Sequence, residues 1–195
     1  MQSVGPTTTA VPRRVMVVAD PRPESEGALE WALSHALLAR DELILLHVEP
    51  NSSRRHSFAT FLKRPPTVPG QADPSSVEGG DYEFLDDMRT TCLALQPRVQ
   101  VQVERVDMDG RDKASVILLQ AKVFSVDLIV IGQRRHFSQI FLGGKLGGKS
   151  ANKAPDTAEY LIENSKCLCV GVQKKGQKAG YVLNTKTRRN FWLLA

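Results

Sequence analysis

Hydrophobic positions along the chain follow two alternating rhythms. Residues 14–19 (RVMVVA), 43–48 (LILLHV), 127–131 (DLIVI) and 167–172 (CLCVGV) are short, nearly unbroken apolar runs. Runs of that length, rich in Val, Ile and Leu, predict strands buried on both faces. Residues 99–106 (VQVQVERV) alternate apolar with polar and predict a half-exposed strand at a sheet edge. Between these runs the period lengthens to that of a helix. Ala28, Leu29, Ala32, Leu33, Ala36 and Leu37 share one face of a segment that Ser25 opens as a cap and that runs to about Arg40. A second helical pattern holds Tyr82, Phe84, Leu85, Met88, Cys92 and Leu93, and a third spans 110–123. A short fourth runs from Asp156 to Asn164, with Asp156 and Glu159 spaced as a capping box.

Strand and helix therefore alternate throughout. Two-faced apolar strands in that alternation imply a parallel sheet covered by helices. The expected fold is α/β: a single doubly wound open sheet of five mainly parallel strands, order 3-2-1-4-5, with helices on both faces. Such sheets hold ligands beyond the carboxyl ends of their strands, where the strand order reverses. The loops after the first and fourth strands, carrying Asp20 and Gly132, become the ones to watch.

Four stretches break the rhythm. Residues 1–13 read as a flexible N-terminus. Residues 49–80, rich in Pro, Ser, Gly and Arg, read as a disordered insertion within the 14–172 domain. Residues 133–154 form a second irregular stretch, and 173–195 a C-terminal extension. Charge is uneven among them. The net charge is +5, yet six basic residues and no acid lie in 173–195, so the remainder is close to neutral. That excludes a general nucleic-acid-binding surface on the globular body and leaves nucleic acid or membrane contact to the tail alone. Packing of Tyr181, Val182, Leu183, Phe191 and Trp192 back onto the domain is the expected fate of the tail, since an exposed Phe-Trp-Leu-Leu end would be sticky. Three cysteines leave an odd thiol and point to a reducing compartment, cytoplasmic or nuclear.

Chemistry concentrates in residues 133–154, with Arg134, Arg135, Lys145, Lys149 and Lys153, four glycines and no acid. Within it, 143–150 (GGKLGGKS) fits the phosphate-loop spacing, supplying Gly143, Gly144, Gly148, Lys149 and Ser150 as candidate phosphate contacts. Its setting is wrong for a nucleoside-triphosphatase loop: eleven residues separate it from Ile131, and Pro155 interrupts any helix after it. Two readings stand, a cationic loop that closes over an anion and a solvated loop that binds nothing. Arg54-Arg55-His56-Ser57 matches a basophilic kinase substrate, making Ser57 a candidate phosphorylation site. Cys167 and Cys169 read as core residues, since no further metal ligands stand at matching spacing. His47 reads as a hydrogen-bonded core or strand-end histidine. No catalytic signature is visible, so no catalytic residues are assigned.

VMVVAD, ALEWAL, DELILLHVEP and VDLIVIG, in this order and spacing, resemble the universal stress protein family of the adenine-nucleotide α-hydrolase-like superfamily. The ending from Asp156 resembles a plant subgroup with its own C-terminal extension. The resemblance implies a homodimer through the last strand and, in some members, bound ATP. Asp20 and Val48 match positions that contact the adenosine part in those members. Their phosphate motif is Gly, two residues, Gly, nine residues, then Gly-Ser or Gly-Thr. Here Gly132 fills the first place, but Arg135 and Lys145 stand at the other two. The resulting expectation is a regulatory module with a degenerate site for an adenine nucleotide or other phosphate ligand, and no catalysis. The alternative is a nucleotide-independent scaffold that meets an unknown protein partner through its tail and insertion.

Overall fold

The computed structural model describes residues 11–50, 82–134, 156–176, 180–187 and, for the backbone alone, 191–193. Among the described residues, seven strands form one sheet in the order β3-β2-β1-β4-β5-β6-β7. Strands β1 (Arg14–Val18), β2 (Glu42–Glu49), β3 (Gln100–Asp107), β4 (Leu128–Gly132) and β5 (Leu168–Lys174) are parallel neighbours in the doubly wound order 3-2-1-4-5. Strands β6 (Tyr181–Asn184) and β7 (Phe191–Leu193) then extend the sheet antiparallel from β5.

The side-chain alternation of a strand sorts the core into two halves. Val15, Val17, Leu43 and Leu45 face α1 (Pro23–Trp31) and α2 (Glu83–Leu95). Met16, Val18, Ile44 and Leu46 face α3 (Lys113–Val123) and α4 (Thr157–Asn164). Both faces of β1 and β2 are thus dry, which is why those runs carry no polar alternation. At the sheet edge, β3 alternates exposed and half-buried positions from Gln100 to Val103, then slips at Glu104, so that Val106 packs on the opposite face from Val101 and Val103.

Several boundaries differ from the periodic reading. Ser25 does not cap α1; Arg22 holds the N-cap position and Pro23 the first helical one. Ser25 lies inside the helix, where its buried hydroxyl donates to Val18 O (2.6 Å) and accepts from Asp20 N (2.9 Å). The first helix does not run on to Arg40. It passes into a π-helical turn, Ala32–Ala36, closed by Leu37 N donating to Ala32 O at 2.9 Å. The carbonyls freed there are taken up by Gln96 Nε2 on Leu33 O and by the Arg13 guanidinium on Ala36 O. Leu93, assigned to the apolar face of the second helix, is 47% exposed.

The third helix begins at Lys113 rather than Gly110. Asp112 caps it, accepting from Ser115 N at 2.9 Å, while Asp109 and Gly110 turn through positive φ. Asp156 does hold the N-cap position of α4, but its side chain makes no capping hydrogen bond, so the capping-box reading fails.

The first part of the tail packs as expected, while the side chains of Phe191 and Trp192 lie outside the described residues. Tyr181, Val182 and Leu183 are buried, and β6 pairs along β5 from Gly171↔Asn184 to Lys174↔Tyr181. Strand β6 thus lies along Gly171–Lys174 of the β5 edge that the family resemblance assigned to a dimer contact. Among the described residues, no helix is long and apolar enough to cross a membrane.

Candidate functional site

The reversal of strand order falls between β1 and β4, which pair in parallel through Val15↔Leu128, Met16↔Ile129 and Val17↔Val130. Both strands flank a cleft at their carboxyl ends, with a cavity of about 300 Å³. Its floor is Val18, Ile131 and Gly132. Its walls come from the starts of three helices: Arg22, Glu24 and Ser25 at α1, Lys113 at α3, and Asp156 and Thr157 at α4. Helix starts carry positive potential and unpaired N–H groups, so their convergence favours an anion.

Gly132 shapes this cleft through what it lacks. A Cβ there would lie 2.3 Å from Glu24 O and 2.4 Å from Glu24 C. Only glycine lets the first turn of α1 close onto the end of β4.

Charge in the cleft is balanced rather than open. Lys113 Nζ donates to both carboxylate oxygens of Asp20, at 2.5 and 2.6 Å. Arg134 Nε lies 3.9 Å from Glu24 Oε1. The remaining lining charges, Arg22 and Asp156, are also of opposite sign. Two of the three cleft cations, Lys113 and Arg134, thus already face a carboxylate.

Behind Asp20 stands His47, whose Nδ1 is 3.7 Å from Asp20 Oδ1 and 2.7 Å from Ala19 O. With its proton on Nδ1, the ring donates to that carbonyl and acts as the hydrogen-bonded strand histidine expected of it. Its ring also meets Phe84 edge-on, at 5.1 Å between centroids.

Of the residues predicted from sequence, the structure brings Asp20 and Gly132 to one cavity. Val48 is buried on the α3–α4 side of the sheet and does not line the cavity. Gly143, Gly144, Gly148, Lys149 and Ser150 lie outside the described residues, as do Arg135, Lys145 and the candidate phosphorylation site Ser57. Sequence reasoning passed over Lys113, Arg22 and Thr157. A usable signal existed for Lys113: it opens the helix that follows the carboxyl end of β3, at the same end of the sheet as Asp20. Among the described residues, no three of His, Cys, Asp or Glu gather as a metal site. Cys92, Cys167 and Cys169 are free thiols.

Comparison with known proteins agrees with this architecture. No curated protein sequence matches the chain. The hypothetical protein MJ0577, reported under a structure-based assignment of its biochemical function, superposes with a TM-score of 0.52 at 19% identity, over 85% of this chain and 98% of that one. A universal stress protein in complex with cAMP gives 0.52 at 13% identity, over 85% and 98%. A member of the same family from Burkholderia pseudomallei gives 0.49 at 18% identity, over 80% and 92%. At identities this low, the two superpositions at 0.52 speak for the fold alone. The sequence pattern of the universal stress protein family, however, matches residues 12–172, the whole span from β1 into β5, and on that match the chain belongs to the universal stress protein family.

Proposed function

We propose that the protein is a non-catalytic regulatory module whose cleft holds a phosphate-bearing ligand, with ATP or another adenine nucleotide as the first candidate. One observation carries this reading. The starts of three helices meet at a 300 Å³ cavity on the strand-order reversal, with Arg22, Lys113 and Arg134 beside it. That combination suits phosphate oxygens. The cAMP found on a family neighbour supports a nucleotide as the ligand class.

The site is degenerate in two respects. Arg135 and Lys145 replace family glycines, and the cleft cations Lys113 and Arg134 face Asp20 and Glu24. Binding is therefore weak, because contacts to Lys113 and Arg134 compete with Asp20 and Glu24. Isothermal titration of the full chain with ATP, ADP, AMP and cAMP tests the proposal. Saturable heat with a matching rise in melting temperature supports it; no heat and no thermal shift at millimolar ligand overturns it.

The scaffold reading has less behind it, since residues 181–184 of the tail are built into the sheet. A homodimer through the last strand would have to accommodate β6, which pairs along Gly171–Lys174 of β5. We assign the ending from Asp156 to the plant subgroup with a basic extension. The odd cysteine count of the sequence is what favours a reducing compartment, cytoplasm or nucleus, in this reading.

A further inference from the structure

On the opposite side of the sheet from α3 and α4 lies a second and larger hollow, about 470 Å³, between α1 and α2. It shares one residue, Asp20, with the cleft described above. From α2 it is lined by Phe84, Asp87, Met88, Thr91 and Leu95, a spacing that marks one face of a helix. The eleven helical rises from Phe84 to Leu95 make the groove about 16 Å long, three turns of an α-helix. Its floor is apolar: Leu29 and Met88 are nearly buried, while Leu95 at the far end is 59% exposed.

The rim is acidic. Glu26 and Glu30 on α1 face Asp87 on α2, and no Lys or Arg among the described residues lines the groove. Lys174 already pairs with Glu30, and Lys113 with Asp20. Glu26 and Asp87 have no ion-pair partner among the described residues. An elongated apolar floor between carboxylate rims is complementary to a helix with an apolar stripe and cationic flanks. It repels an anionic membrane surface, and a compact small molecule would not span its length.

We infer that the α1–α2 groove docks a cationic amphipathic helix from a partner protein, seated on Leu29, Phe84, Met88 and Leu95 with its Lys or Arg residues against Glu26 and Asp87. The inference does not depend on nucleotide binding in the cleft.

The test uses the full chain and a labelled synthetic helix of about four turns, leucine along one stripe and arginine on both flanks. Saturable binding with a dissociation constant of about micromolar order is expected. The double variant Glu26→Gln, Asp87→Asn and, separately, Leu95→Asp should each weaken it about tenfold or more. These side chains are exposed, so the variants retain the fold. In methyl spectra of the methionines, Met88 should shift while Met16 and Met108 stay in place. Equal binding of a shuffled peptide of the same charge would show a diffuse electrostatic contact and overturn the proposal. So would a stationary Met88. Tenfold tighter binding on reversing Arg54, Arg55, Lys63 and Arg64 to Glu would make the chain's own insertion the occupant, again overturning it.

Discussion

Lys113 Nζ sits 2.5 Å from one carboxylate oxygen of Asp20 and 2.6 Å from the other, tying the first turn of α3 to the loop after β1. Both side chains are about a quarter exposed, at 25% and 21%. A pair so placed stabilises the fold by only about 1 kcal/mol. Its larger effect would fall on the proposed ligand, because Lys113 is one of the cations lining the cleft. Lys113→Met should lower the melting temperature by about 2–4 °C. It should also weaken nucleotide affinity about tenfold. Calorimetric titration beside a thermal melt separates the two effects, and unchanged affinity would remove Lys113 from the site.

Gly132→Ala tests the joint between β4 and α1. The added methyl would meet the backbone of Glu24, with the carbonyl oxygen at 2.3 Å and Ser25 N at 2.9 Å. Backbone atoms cannot rotate aside as a flexible side chain does, so α1 must shift outward. Overpacking of this kind costs about 3 kcal/mol. The melting temperature should fall by about 6–12 °C. Because the shift opens the cleft at its floor, any ligand bound there should weaken as well; a variant with unchanged melting would show that the two elements are not in contact.

How much of this was legible in the sequence depended on whether a feature is local. The runs of β1, β2 and β4 stand out because burial on both faces requires every residue to be apolar, and β3 because an edge strand alternates. The β6 pairing was foreshadowed by the apolar content of Tyr181–Leu183. The Lys113–Asp20 contact was not legible, since its residues are separated by 93 positions and meet only once the strand order is known. Nor was the end of α1. The apolar period continues past Trp31, but a widened turn stops the helix while Ala32 and Leu33 stay buried. Ser25 misled for a related reason: its residue type suits a cap, yet its hydroxyl bonds back to β1 rather than to its own helix.

Glu30 anchors the tail strand to α1. Its carboxylate accepts from Lys174 on β5 and from the Tyr181 hydroxyl on β6. The Lys174 hydrogen bond, above all, holds it below its ordinary value of 4.5. A carboxylate depressed in the folded state contributes stability above its unfolded value, and that contribution is lost as pH falls through the folded one. Glu30→Gln should therefore cost about 1 kcal/mol at pH 7 and little at pH 3. Urea unfolding at the two pH values checks the difference. An equal cost at both would show that Glu30 acts through packing rather than charge.

The three thiols should react in a set order. Cys167 is half-buried and its thiol is raised by that burial. Desolvation pushes Cys92 up to about 11 and Cys169 to about 12, the latter raised further by the neighbouring Cys167. Only the thiolate attacks a disulfide reagent. In the native protein at pH 8, Cys167 should react first and slowly, with Cys92 and Cys169 reacting only on unfolding. Titration also moves stability. A thiol raised in the folded state contributes fully below its unfolded value of 9.0, and that contribution drains away as pH climbs toward the folded values of about 11 and 12. The urea midpoint should fall between pH 8 and roughly pH 10.5, and the double variant Cys92→Ala, Cys169→Ala should fall less steeply. Rapid native labelling of Cys92 would show that the α1–α2 half of the core opens far more readily than its packing implies.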